Sequence, residues 1–295
     1  MKAHSLHRLL ASLYNTPHLV DQNTFDFATA FLKERSKSGL MVMPSIDVDS
    51  EEDEEEIPDE IEDFDPEMGV GVIDVVGALT YKPVYGLCGV VGCSYEGILE
   101  QAQELIGSGA TTIVLNIDSG GGQGYSAFEC ANELRSMCDA SNVTLIAYND
   151  GLCASAAYVL ACVADTVVSN PYAETGSIGV LIALVNDSKA LEQEGYSRTF
   201  ITAGASKVPF AEDGSWREGF LEDLQIKVDS LYEDFVSHVA QYTSMTPEAI
   251  KGTEAKTFMA EQALGLGLIN KIMTRSEFVK YVMDQNKGAS NEGSV

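Results

Sequence analysis

From Val70 onward, short apolar runs alternate with stretches of helical periodicity. VGVIDVV (70–76), TIVLNI (112–117) and VTLIAY (143–148) are short runs dominated by apolar and β-branched residues, the pattern of buried strands covered on both faces. Between them, Ser94 to Ile106 places Ile98, Ala102, Leu105 and Ile106 on one side of a helix, and a second amphipathic helix runs to about Met137. DGLCASAAYVLACVA (150–164) reads as a turn followed by a small-residue helix. TVVS (166–169), GVLIALV (179–185) and RTFITA (198–203) read as further strands, with a helix near 188–194. A long helix is expected from Trp216 to about Tyr242, with Phe220, Leu224, Leu231 and Phe235 as its apolar stripe. Strand–helix alternation of this kind predicts an α/β fold with a largely parallel sheet and flanking helices.

The ends of the chain have a different texture. Leu6, Leu9, Leu10 and Leu13, and then Phe25, Ala28, Phe31 and Leu32, follow helical spacing on either side of Pro17. Asp47 to Glu67 holds 14 Asp or Glu and no Lys or Arg; such a run repels itself and is expected to be a disordered linker. The partition predicted is a helical N-terminal segment (1–46), an acidic linker (47–68), the α/β domain (69–275) and a C-terminal tail (276–295), frayed after Gln285.

The 295 residues carry 18 Lys and Arg against 45 Asp and Glu, a formal charge of −27; removing the linker's 14 negative charges still leaves −13. Nucleic acid and anionic membrane surfaces would repel such a chain, so neither is expected as a direct partner. No run approaches the roughly 18 apolar residues of a spanning helix, and His7 and Arg8 interrupt any signal-peptide core, which points to a chain that stays in the cytoplasm. Six cysteines form no CxxC pair and are expected as small buried residues.

Two segments could bear chemistry. SGGGQG (119–124) follows a strand and precedes a helix, but the third position of a GxGxxG fingerprint is Tyr125, and the phosphate-loop Lys is absent. An oxyanion hole and a plain tight turn both remain open for it. Ser155, among alanines in GLCASAAYVLA, is either a packing residue or a nucleophile. No GxSxG elbow occurs, and three of the four histidines precede the acidic run while His238 falls in the long helix, so a Ser-His-Asp triad is not expected. A lysine can act as base when its surroundings favour the neutral amine. Only Lys189 and Lys207 lie between Tyr95 and Lys227. Lys189 sits in a polar helix and Lys207 in the uncharged segment TAGASKVPF, where it is either a surface charge or a base.

Taken together, IVLNIDSGGGQGYSA (113–127), DGLCASAAYVLACVAD (150–165), TGSIGV (175–180), GASKVPF (204–210) and FMAEQALGLGLINKI (258–272) resemble the signal peptide peptidase A type of serine peptidases. HRLLASLYNTPHLV (7–20) and SYEGI (94–98) further resemble the bacteriophage branch, the capsid-assembly (prohead) proteases. The resemblance implies a ClpP/crotonase-like fold and a Ser-Lys dyad of Ser155 as nucleophile and Lys207 as general base. It implies that Ser177 positions the lysine, and that the N–H of Ala156 with that of Gly121 or Gly122 forms the oxyanion hole. No cofactor or metal is implied. The implied partners are scaffold, portal or coat protein as substrate, met inside the assembling prohead in the host cytoplasm. A homo-oligomeric ring is also implied, in which the lysine of some relatives reaches a neighbouring subunit's serine. A cytoplasmic bacterial peptidase and a non-catalytic assembly factor are the alternatives. One departure stands out: Gly120 occupies the position where the family usually has Pro, which should loosen the glycine turn.

Overall fold

A computed structural model describes residues 18–20, 64–65, 69–86, 89–204, 206–211 and 213–292. Along the chain, β1 (His18–Val20) and β2 (Phe64–Asp65) precede β3 (Val70–Val76), β4 (Leu79–Thr80), β5 (Val84–Gly86), β6 (Gly89–Val91) and β7 (Cys93–Ser94). Next come α1 (Tyr95–Gly107), β8 (Thr112–Ser119), β9 (Gly121–Gln123), α2 (Ala127–Ser141), β10 (Thr144–Ala154) and α3 (Ala156–Ala161). β11 (Thr166–Ser169), β12 (Glu174–Gly176), α4 (Ser188–Gln193), α5 (Phe220–Tyr242) and α6 (Pro247–Lys251) follow. The chain closes with β13 (Thr257–Met259), α7 (Ala260–Leu266), β14 (Lys271–Ile272) and α8 (Arg275–Glu292).

The three apolar runs become the centre of the main sheet. β3 pairs with β8 and β8 with β10, both in parallel; β10 pairs in parallel with β11 along its first half and with β12 along its second. Only the margins, β2 on β3 and β13 on β12, are antiparallel. Successive strand side chains point to opposite faces, and here both faces are covered. Ile113, Leu115, Ile117, Leu145 and Ala147 join α1, α2, α3 and α5 in one core, whereas Val114, Ile146, Tyr148 and Val168 meet Phe278 and Val282 of α8 in another. This is the α/β class expected, and it explains why these runs are mostly apolar or β-branched, with Asp74 and Asn116 as exceptions that bond each other at 2.8 Å.

Local chemistry sets the element ends. Ser94 caps α1, its Oγ accepting the Gly97 N–H at 3.1 Å, and Ile98, Ala102 and Leu105 then face the sheet. A second, smaller sheet runs in the order β1, β9, β4, β7, so the glycine segment at 121–123 is a strand and not merely a turn.

Several expectations need correction. The runs 179–185 and 198–203 form no strands; β13 already occupies the edge of β12 that they would join, and Ile201 is 99% exposed. The helix expected within 150–164 is confined to Ala156–Ala161, because pairing with β12 keeps Leu152–Ala154 extended. The long helix begins at Phe220, with Trp216 ahead of it stacked between Phe210 (4.7 Å) and Phe220 (5.5 Å). Inside the acidic run, Phe64–Asp65 add a strand to β3, so the run is not wholly a linker. The two N-terminal helices fall outside the described residues, apart from 18–20, which are strand.

The tail is not frayed after Gln285. α8 continues to Glu292, and Phe278, Val282 and Asn286 recur at four-residue spacing to press one face onto the sheet. Phe278 stacks on Tyr148 at 4.2 Å, and the Thr112 hydroxyl donates to Asn286 Oδ1 at 3.0 Å. Phe278→Ala should therefore destabilise the protein by about 3–5 kcal/mol, read as a lower urea midpoint at unchanged slope.

Candidate active site

The site forms where β8 and β10 end, the place where parallel sheets open a crevice. The two strands keep register from Thr112/Thr144 to Ile117/Asn149, then shift so that Cys153 lies opposite Ser119. At the shift a Cβ on Gly151 would lie 2.8 Å from the Asp118 carboxylate, which accepts the Leu152 N–H at 3.1 Å, so a larger residue would displace that carboxylate. Past it, Ala154 pairs with Gly176 of β12, and the Ser155 N–H donates to the Gly176 carbonyl at 2.9 Å. The predicted residues Ser155 and Ser177 thus end two adjacent strands side by side. Gly176 cannot carry a side chain, since a Cβ would come 2.5 Å from the Lys256 carbonyl.

Ser155 has φ 56° and ψ −119°, a left-handed backbone that costs a non-glycine residue about 1–3 kcal/mol. The residue is fully buried, and its hydroxyl has no hydrogen-bond partner among the described residues. It opens α3 without capping it, while its carbonyl accepts the Tyr158 and Val159 N–H groups at 2.9 and 3.1 Å. The Ala156 N–H belongs to the first turn, whose donors have no intrahelical acceptor. α3 is held rigidly: all six residues are buried, Tyr158 donates its hydroxyl to the Leu268 carbonyl at 2.8 Å, and His238 Nε2 lies 3.1 Å from the Val159 carbonyl. Burial holds the His238 ring below its usual pKa, and it serves α3 as a packing and hydrogen-bonding group rather than as a base beside Ser155. Cys153, two residues from Ser155, is also buried, and desolvation pushes its thiol well up, so it stays a thiol rather than a reactive thiolate.

Ser177 is nearly buried and also left-handed (φ 53°), its N–H held by the Lys256 carbonyl at 2.9 Å. Across the crevice, β9 packs against α3, which brings Gly121 and Gly122 to the same side as Ser155. Gly122 is obligatory, since a Cβ would meet the Leu79 carbonyl oxygen at 2.0 Å. Lys207 does not join them. It is exposed, on the irregular segment between α4 and α5, and the unpartnered Ser155 hydroxyl shows that no bond links the two within one chain.

Ser119, to which the sequence alone assigned no role, holds the glycine turn. Its hydroxyl donates to the Gly77 carbonyl at 2.6 Å and accepts the Gly121 N–H at 3.1 Å, while the Gly77 N–H reaches the Asp118 carbonyl at 3.0 Å. The turn is thereby fixed by a side chain where a ring would have fixed it. The available signal was a serine at a strand end directly before glycines, a residue type that bonds local backbone. Gly120 itself has no positive φ, and its N–H donates to no acceptor among the described residues. Gly120→Pro should accordingly be tolerated and raise stability by about 0.4–1 kcal/mol in urea unfolding; a loss would mean that the turn is set otherwise.

Comparison with known proteins adds the following. Residues 139–289 match the model of Peptidase family S49. Head-tail preconnector protein GP5 of Enterobacteria phage P21 is 30% identical over 217 residues, covering 72% of this chain and 42% of that protein. Capsid assembly protease C of Escherichia phage lambda is 29% identical over 222 residues, covering 73% and 49%. The chain thus spans less than half the length of both phage relatives. The protein named "Probable protease SohB" of Haemophilus influenzae is 26% identical over 207 residues, covering 69% and 58%. Among solved structures, a ClpP1 variant from Listeria monocytogenes superposes with TM-score 0.43 at 14% identity, covering 71% of this chain and 93% of that one. With more than half of the chain matched by the family's model, and with a strained, unpartnered serine at the head of a buried helix beside a glycine strand, the protein belongs to Peptidase family S49.

Proposed function

We propose that this protein is a serine endopeptidase of capsid maturation, with Ser155 as nucleophile and Lys207 as general base. The observation that supports it best is the buried, unpartnered Ser155 hydroxyl on a strained backbone. An unsatisfied buried hydroxyl costs about 1–3 kcal/mol and the strain a similar amount, and a packing serine has no reason to incur both. A purely structural role in assembly would leave that combination without a use. The phage relatives and the acidic charge favour scaffold, portal or coat protein as substrate, cleaved inside the prohead.

In this reading Ser155 Oγ attacks the scissile carbonyl carbon as its proton passes to Lys207 Nζ. The oxyanion is held by the N–H groups of Ala156 and Gly122, while the Gly121 N–H, engaged by Ser119, sets the turn. The C–N bond then breaks, the leaving amine taking the proton from Lys207. A water deprotonated by Lys207 hydrolyses the ester and returns the proton to Ser155. Ser177, beside Ser155, orients the amine.

Lys207 is exposed and makes no hydrogen bond to Ser155 of its own chain, which supports a base supplied by a neighbouring subunit of a homo-oligomer. The segment around Lys207 presents Tyr196, Phe200 and Ile201 to solvent, an apolar surface suited to such a contact. Burial at that contact would supply the dry surroundings that a neutral amine needs. Ser155→Ala and Lys207→Ala should each lower hydrolysis of a capsid or scaffold substrate at least about a thousandfold while remaining folded. Mixing the two inactive variants under subunit exchange should restore roughly a quarter of wild-type activity through random pairing of intact halves. A Lys207→Ala enzyme of normal rate would require a different base. Mixtures that stay inactive, with the wild type working as a monomer, would place the dyad within one chain.

A further inference from the structure

The strand β1 lies along β9, the strand that carries Gly121 and Gly122 and packs against α3. His18, Leu19 and Val20 pair antiparallel with Gln123, Gly122 and Gly121, so this segment covers both glycines assigned to the oxyanion turn. Among the described residues it pairs with nothing else: it ends the order β1, β9, β4, β7, and β4 occupies the other edge of β9. An unpaired strand edge is a template for any extended peptide, because main-chain bonds give affinity irrespective of sequence. β9, to which this edge belongs, packs against α3, whose head is Ser155. A substrate laid along it would pass the nucleophile, and only one strand can take that edge at a time.

We propose that β1 is the protein's own occupant of the substrate strand position, a built-in competitor that must leave β9 before another chain can be cleaved. The proposal rests on the reading of Ser155 as the nucleophile that attacks a peptide held on β9. Three short pairs at the margin of a small sheet suit a displaceable element better than a structural one. Val20 and Phe64, where the next described strand begins, are more than forty residues apart in the sequence. Occupancy by a chain segment would keep the protease inactive until a locally concentrated substrate, such as the proteins of an assembling shell, outcompetes it.

The test uses the full chain with Leu19→Pro and Val20→Pro together. Neighbouring strand residues point their N–H groups to opposite sides, so this pair removes the one that faces β9 in either phase. The probe is a fluorescein-labelled peptide of residues 14–24 (YNTPHLVDQNT), measured by polarisation in a Ser155→Ala background. The double-proline protein should bind it about tenfold more tightly than the protein with its native segment, the effect of removing an occupant held by a few backbone bonds. With Ser155 intact, the double-proline enzyme should cleave a capsid-derived peptide with kcat/KM raised by a similar factor. Equal binding by both proteins, or binding by neither, overturns the proposal, as does loss of the native fold on circular dichroism in the double-proline protein and in one whose residues 18–20 are all glycine. If the binding difference holds while no variant cleaves, the occupancy stands and the catalytic reading fails.

Discussion

The site depends on one backbone constraint: β10 is held from both sides at its end. β8 grips it through the shifted register at Cys153/Ser119, and β12 grips it through Ala154/Gly176 and the Ser155 N–H. The strand therefore cannot relax into the helix that its alanines favour until Ser155 has turned through a left-handed conformation. That turn aims the hydroxyl away from the capping role it would otherwise take and leaves it unpartnered. The glycines at 151, 122 and 176 are its corollaries, each at a point where backbone or carboxylate leaves no room for a side chain.

Much of this was legible in the chain itself. The runs at 70–76, 112–117 and 143–148 announced buried parallel strands because both faces of the sheet are covered, by the helices of one core and by α8 on the other. The apolar runs at 179–185 and 198–203 carried the same signature and misled, since a strand needs a free edge as well as a pattern, and β13 had taken the one at β12. α8 was underread because its face is sparse: Phe278, Val282 and Asn286 do the packing, and one of these three is polar.

The candidate site was legible in part. Ser155 and Ser177 lie side by side because each directly follows one of two paired strands, β10 and β12, while Gly121 and Gly122 lie within β9, which packs against α3. The Ser119 clamp was hidden, for hydroxyl-to-carbonyl bonds leave no periodic trace. Lys207 is the opposite case. Its motif was visible, but the sequence did not reveal that its side chain would lie exposed on an irregular segment.

Strain, burial and an absent partner converge on a single oxygen atom, so the decisive measurement asks which atom becomes acylated. A peptidyl active ester or phosphonate reacted with the assembled protein, followed by proteolytic mapping and mass spectrometry, should place the adduct on the peptide containing Ser155, with labelling and peptidase activity lost in parallel and no adduct in Ser155→Ala. An adduct on another residue that tracks the loss of activity, or undiminished hydrolysis by the Ser155→Ala protein, would contradict the account.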